Sequence, residues 1–154
     1  MVKFDELKEL GEKWAAEFCE ALNNSPEYKS AAAGWGVDFD GGMLFVMEKS
    51  GEIEDNILAF LDLKDGDCLG ITILPPGEDP PKEPIMTLRA SMLIWKRLAS
   101  KELDPIQSLM QGLLNLEGDM SLALRYAKAA MELANAVEQA PSSDELFNKY
   151  DLGE

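Results

Sequence analysis

The residues that could do chemistry are few, and most of them are acids. Asp38, Asp40, Gly41 and Gly42 have the opening spacing of a calcium-binding loop, but the position that should supply a bidentate glutamate is Lys49. Asp62, Asp65 and Asp67 surround Asp65-Gly66, a hairpin-turn pair, and read as solvated turn acids. Glu78-Asp79 and Asp144-Glu145 read as surface charge and a helix start. The chain has no histidine, which removes the commonest general base and the commonest transition-metal ligand. It also has no Gly-x-Ser-x-Gly elbow, no Gly-x-x-x-x-Gly-Lys-Ser/Thr loop and no Gly-x-Gly-x-x-Gly turn. No nucleophile is paired with a base. The expectation is a protein that is not an enzyme, with no catalytic residues, no metal site and no cofactor.

Apolar binding is the chemistry that is left. The chain carries eight methionines, and Met43, Met47, Met86, Met92, Met110, Met120 and Met131 fall in predicted elements. Thioether side chains adapt to guests of varied shape, although each is equally at home filling a core.

The bulk numbers narrow the partners. The 154 residues fit one domain, expected over 1–140, with 141–154 as a tail carrying one short, loosely held helix. The net charge is −15, from 29 acids and 14 bases. That excludes nucleic acid, whose phosphates need a basic surface. It allows at most transient contact with anionic membranes. The N-terminus has acids in its first turns and does not read as a signal peptide. No stretch is long and apolar enough to span a bilayer. Cys19 and Cys68 belong to no CxxC pair and read as separate, small buried groups. A reducing compartment, and with it a cytoplasmic location, is the expectation.

The elements follow from the periodicity. Phe4, Leu7, Leu10, Trp14, Phe18 and Leu22 recur at three and four residues, a helical stripe that ends at Asn23-Asn24-Ser25-Pro26. Strands are expected at 43–47, 57–64, 69–74 and 85–90. Asp65-Gly66 makes the hairpin, and the Pro-rich stretch 75–81 forms an exposed loop. Ser91 and Asp104-Pro105 open helices, and Gly112 closes the second. A last strand is expected at 113–117. Gly118-Asp119 then caps one long helix from Met120 to about Glu138, with Met120, Leu124, Ala127, Met131 and Ala134 on its apolar face.

The ordered motifs of this second half resemble the sterol carrier protein 2 family. They are Met86-Thr87-Leu88-Arg89-Ala90-Ser91, then Trp95-Lys96-Arg97-Leu98, then Leu103-Asp104-Pro105 through Gln111-Gly112. Leu114-Asn115-Leu116-Glu117-Gly118-Asp119-Met120-Ser121-Leu122-Ala123 completes the set. Upstream, Asp62-Leu63-Lys64 before a glycine turn also fits, so the likeness runs over roughly residues 5–138.

The resemblance implies an α+β fold. A five-stranded, mostly antiparallel sheet would have helices covering one face and an apolar tunnel between the layers. It implies a non-catalytic carrier for a hydrophobic, lipid-like ligand (fatty acid, sterol-like or isoprenoid). The tunnel wall would comprise Met86, Leu88, Trp95, Met110, Leu113, Met120, Leu124, Ala127 and Met131, with Gln111 orienting a head group. The family's final strand often reads Gly-Lys-Leu-Lys-Ile, whereas here Leu113 and Asn115 stand at the lysine positions. That loss, together with the acidic surface, favours a neutral or weakly polar ligand over acyl-CoA. The alternative is an accessory or oligomerisation module that presents ligand to a partner enzyme, assembles with a protein partner or forms a homodimer.

Overall fold

The computed structural model describes residues 1–153. Helices α1 (Phe4–Asn23) and α2 (Pro26–Ala31) precede strands β1 (Gly42–Glu48), β2 (Ile57–Lys64), β3 (Asp67–Leu74) and β4 (Met86–Ser91). Helices α3 (Met92–Ala99) and α4 (Pro105–Gln111), strand β5 (Asn115–Gly118), and helices α5 (Met120–Arg125), α6 (Ala127–Gln139) and α7 (Ser143–Asn148) follow. The five strands form one sheet in the order β3-β2-β1-β4-β5. Three pairings are antiparallel, and the fourth, the central strand β1 with β4, is parallel. This is the expected α+β architecture, with a mixed sheet at its centre.

Local chemistry accounts for the element ends. The Ser91 side chain accepts from Ile94 N at 3.2 Å, and Asp104 accepts from Ile106 N at 2.8 Å with Pro105 in the first helical position. Asp119 accepts from Ser121 N at 2.8 Å. Each bond satisfies an orphan amide at a helix start. Gly112 closes α4 in the left-handed conformation. Helix α2 went unread in the sequence, although Ser25-Pro26 is itself a start signal: Ser25 Oγ accepts from Tyr28 N at 3.0 Å.

Strand alternation gives the sheet two apolar faces. Met43, Phe45 and Met47 of β1 join the main core under the helices, with Trp14, Phe18 and Leu22 of α1 among its buried members. Leu44, Val46, Phe60 and Leu74 form a second cluster on the opposite face. The Pro-rich loop returns over that face. Pro76 and Gly77 stand beside Leu44, Val46 and Leu58. Lys82 bridges Asp40 at 3.1 Å and Asp62 at 3.3 Å. Hydrogen bonding to the Lys82 ammonium, and then to Gly42 N, holds the Asp40 carboxyl below its ordinary range. Asp40 is thus engaged in anchoring the loop.

Three expectations change. Cys19 and Cys68 are not separate buried thiols: they form a disulfide joining α1 to β3. Their separation of 49 residues gave no hint of pairing, because only the packing of α1 against β3 brings them together. The inference of a reducing compartment rested on free thiols and falls with them. Next to the bridge, the Asn23 side chain makes two bonds to the Cys68 backbone, accepting from its N–H at 2.8 Å and donating to its carbonyl at 3.0 Å.

The segment after residue 140 is also not loosely held. Leu146, Phe147 and Leu152 are buried, and Phe147 meets Trp14 edge-on at 6.1 Å. Ser142 N and Oγ both donate to the Glu17 carboxylate. Finally, the long helix expected from Met120 is two helices, interrupted at Tyr126, whose φ of −104° and ψ of 28° lie outside the helical range.

The disulfide and the Asn23 bonds hold the same helix to the same strand, so their contributions separate experimentally. Reduction, or Cys19→Ser with Cys68→Ser, is expected to lower the unfolding free energy by about 2–4 kcal/mol. The circular dichroism spectrum should be unchanged, because Asn23 keeps the register. Denaturant titration with and without reductant measures both. A loss below about 1 kcal/mol would mean that the bridge adds little to the packing of α1.

Candidate functional site

Between the inner face of the sheet and the helices lie two adjoining apolar lobes. Lobe one, of about 60 Å³, is bordered by Tyr28 and Ala32 at α2, Trp35, Met43, Leu63, Met86 and Leu88 from the strands, Ile106 and Leu109 of α4, and Ala123, Tyr126, Ala129 and Leu133. Lobe two, of about 70 Å³, is bordered by Trp14 and Phe18 of α1, Phe45 and Met47 of β1, Trp95 and Leu98 of α3, Ala134 and Val137 of α6, and Phe147 of α7. Leu88, Pro105, Leu114, Ala130 and Leu133 border both, so one layer of side chains separates them. Among the described residues, no Asp, Glu, Lys or Arg borders either lobe.

The polar atoms of the large side chains are mostly accounted for. Trp14 Nε1 donates to Ser143 Oγ at 2.9 Å, Trp35 Nε1 to the Gly41 carbonyl at 2.9 Å, and Trp95 Nε1 to the Val46 carbonyl at 3.0 Å. Gly41 has no substitute here, because a side chain would run into the Leu63 carbonyl and the Trp35 indole. The Trp35 loop is held further by Asp65: its N–H donates to the Trp35 carbonyl at 2.6 Å, and its carboxylate accepts from Gly34 N at 2.8 Å. Trp35 then stands edge-on to Tyr126 and to Phe39, each at 5.1 Å. Phe45 lies against Trp95 at 4.8 Å.

Of the ten residues picked from the sequence, the structure brings Met86, Leu88 and Trp95 to these lobes. Met110 is 71% exposed, and Leu113, Met120, Leu124 and Met131 are also exposed. Gln111 is exposed at the end of α4 and Ala127 is half-buried, and neither borders a lobe. The cause is rotational. The apolar face expected on the long helix ran through 120, 124, 127, 131 and 134, and of these only Ala134 borders a lobe. The residues of this segment that border the lobes are Ala123, Tyr126, Ala129, Ala130, Leu133, Ala134 and Val137, a face centred about one position earlier, which on a helix is about 100° of turn. Both faces are apolar, so periodicity did not distinguish them. Tyr28, Trp35 and Tyr126 were missed. Trp35, a lone large aromatic among glycines, was the signal available for the loop.

A wider groove of about 660 Å³ between α1, α2 and α6 is lined by Glu17, Glu20, Glu27, Glu132 and Glu138. Its charge and its openness to solvent set it apart from the lobes.

A five-stranded sheet with its helices on one face, closed over an uncharged two-lobed interior, defines the class of protein. Comparison with known families and structures then identifies it further. The chain belongs to the SCP-2 sterol transfer family, whose profile matches residues 4–131. It is similar to a crystal structure of sterol carrier protein 2, with 28% identity over 85% of this chain and 98% of that one and a TM-score of 0.72. It is equally similar to a conserved hypothetical protein from Thermus thermophilus, with 29% identity over 84% and 87% of the two chains and a TM-score of 0.72. The sterol carrier protein domain 2 of Helicoverpa armigera, at 20% identity over 77% and 83% of the chains and a TM-score of 0.55, shares the fold. Comparison with curated proteins gave no match. No helix among the described residues is long and apolar enough to cross a membrane.

Tyr28 has the most perturbed environment. It is only 2% exposed, and burial, with the nearby Asp67 charge adding to it, pushes its phenol well above the ordinary tyrosine range. The folded state therefore holds this proton longer than the unfolded chain does. The neutral buried phenol stabilises the fold below about pH 10, and that contribution is lost as pH rises through the folded value. In an alkaline absorbance titration, one of the three tyrosines is expected to ionise only as the chain unfolds. The late component should vanish in Tyr28→Phe. Its persistence there would assign the buried phenol to another residue.

Proposed function

We propose that this protein binds a hydrophobic, lipid-like molecule between its sheet and helices and carries it without transforming it. The single observation behind this reading is the pair of adjoining lobes, with no charged residue among the described residues on their borders. Family membership supports carriage, and the absence of histidine from the chain supports a non-catalytic role. Met86, Leu88 and Trp95 form part of the wall, joined by Leu114, Ala130 and Leu133 where the lobes meet.

Magnitudes set a condition on this reading. Small-molecule pockets run to about 300–1,000 Å³. The lobes hold about 60 and 70 Å³, so a long-chain guest enters only if α4, α5 and α6 shift off the sheet and the shared layer parts. Met43, Met47 and Met86 border the lobes and change shape at little cost. Burial of a roughly 16-carbon chain gains about 12 kcal/mol before ordering costs. Immobilisation and ordering then take back several kcal/mol, which still leaves micromolar binding within reach. Met110, Gln111, Leu113, Met120, Leu124, Ala127 and Met131 reach the guest only if the same helices rotate. In a reducing cytoplasm the Cys19–Cys68 bridge would open, leaving the Asn23 bonds to hold α1 to β3.

Native mass spectrometry of the purified protein is expected to find a co-purifying lipid, or binding of an added one. Ala130→Trp fills the shared layer and should abolish binding. Leu124→Trp, on the exposed face, and Gln111→Ala should bind within about twofold of wild type. Wild-type protein that neither carries nor takes up any lipid would overturn the proposal. Normal binding by Ala130→Trp would place the guest outside the lobes.

A further inference from the structure

The Cys19–Cys68 bridge is one residue removed from each lobe and lines neither. On α1, Cys19 follows Phe18, which is fully buried and, with Trp14 one turn earlier, forms the α1 wall of lobe two. On the sheet, Cys68 of β3 is registered opposite Leu63 of β2, which borders lobe one. The other polar ties of α1 lie elsewhere. Phe4 N donates to Asp55 at 2.7 Å at the start of the helix, and Trp14 and Glu17 bond to Ser143 and Ser142 of the tail rather than to the sheet. From Trp14 onward, the bridge and the two Asn23 bonds are the only covalent or hydrogen-bonded ties from α1 to a strand among the described residues.

From this placement we infer that the bridge is a redox-operated catch on the guest cavity. Oxidised, it pins the α1 wall of lobe two against β3. Reduced, it lets the middle of α1, still held at its ends by Phe4 and Asn23, bow off the strand and widen the lobe. The inference rests on the carrier reading above and adds its regulation. Lobes of about 60 and 70 Å³ must grow severalfold to take a long-chain guest. With the bridge closed, only the cover of α4, α5 and α6 can yield. With it open, the α1 wall yields too, and less of the binding energy is spent on displacing the cover. Opening consumes two molecules of a low-molecular-weight thiol. The first, as thiolate, attacks the sulfur of Cys19, which is half-buried where Cys68 is only 6% exposed; the S–S bond breaks and Cys68 leaves as a thiolate that takes up a proton. The second attacks the outer sulfur of the mixed disulfide and releases Cys19, protonated in turn, while the two reductant molecules end as their own disulfide. Linkage makes the effect reciprocal: a guest that prefers the open form makes the bridge easier to reduce by the same factor.

Titration of the intact protein with Nile red, and displacement of Nile red by hexadecanol, tests this in the oxidised and the dithiothreitol-reduced states, with thiol counting to verify each state and circular dichroism to verify the fold. Reduction is expected to tighten binding of both probes at least about fivefold, the lower end of typical coupling between sites. The Cys19→Ser, Cys68→Ser double variant should bind like the reduced wild type and be indifferent to dithiothreitol, which separates opening of the bridge from any effect of the reductant on the probes. Saturating hexadecanol should shift the thiol–disulfide equilibrium of the wild type toward the reduced form by the factor seen in binding. A helix that only lends stability would show neither the gain nor the matching shift. If both states bind within about twofold of each other, or the oxidised state binds more tightly, the catch is overturned and the carrier reading stands. A bridge that resists dithiothreitol in the folded protein overturns it as well. If neither state binds either probe, the carrier reading falls with it.

Discussion

The structure depends on one requirement: the apolar inner face of a five-stranded sheet must be kept from water, and helices of limited girth must do it. Helix α1 does so by packing along β3, with Ile73 set against Gly11. The Cys19–Cys68 bridge and the paired Asn23 bonds hold that half of the interface closed. The other half, above β1 and β4, is covered by α5 and α6, whose inward positions are mostly alanine. Small side chains at helical spacing cannot fill the distance to a sheet whose own side chains are of ordinary length. Two lobes result. They are a consequence of composition, since a Leu in place of Ala130 would occupy the shared layer.

The division into a fixed and a yielding half explains why the lobes can be small and still serve a guest. Core packing normally leaves few voids larger than a water molecule, and each lobe is several times that. The elements over them are short: α4 has seven residues and α5 six. Short helices are held mainly by tertiary packing, so they move at lower cost than α1. The break at Tyr126 separates α5 from α6 and gives the cover a joint. The tail contributes on the rigid side, where Phe147 against Trp14 and Ser142 against Glu17 brace α1 from behind lobe two.

Polar satisfaction fixes the aromatic rings that border the interior. All three indoles are tied to protein acceptors, which fixes ring orientation and removes competing donors from the interior.

Much of this was legible from residues alone. Ser91, Asp104-Pro105, Gly112 and Asp119 marked their helix ends, Asp65-Gly66 its hairpin, and strand alternation put Met86 and Leu88 on the inner face, because such signals act over a few residues. The family motifs brought in Trp95 and the fold. Long-range decisions were not readable. Cys19 and Cys68 are separated by 49 residues, and nothing local says that α1 crosses β3 at that point. Whether the Ala-rich segment turns Leu124 or Ala123 inward depends on Tyr126 meeting Trp35, a contact between a helix joint and a loop some 90 residues away. Hydrophobic pattern specifies that a face is buried. Which of two apolar faces is buried is settled only when distant side chains compete for the same space.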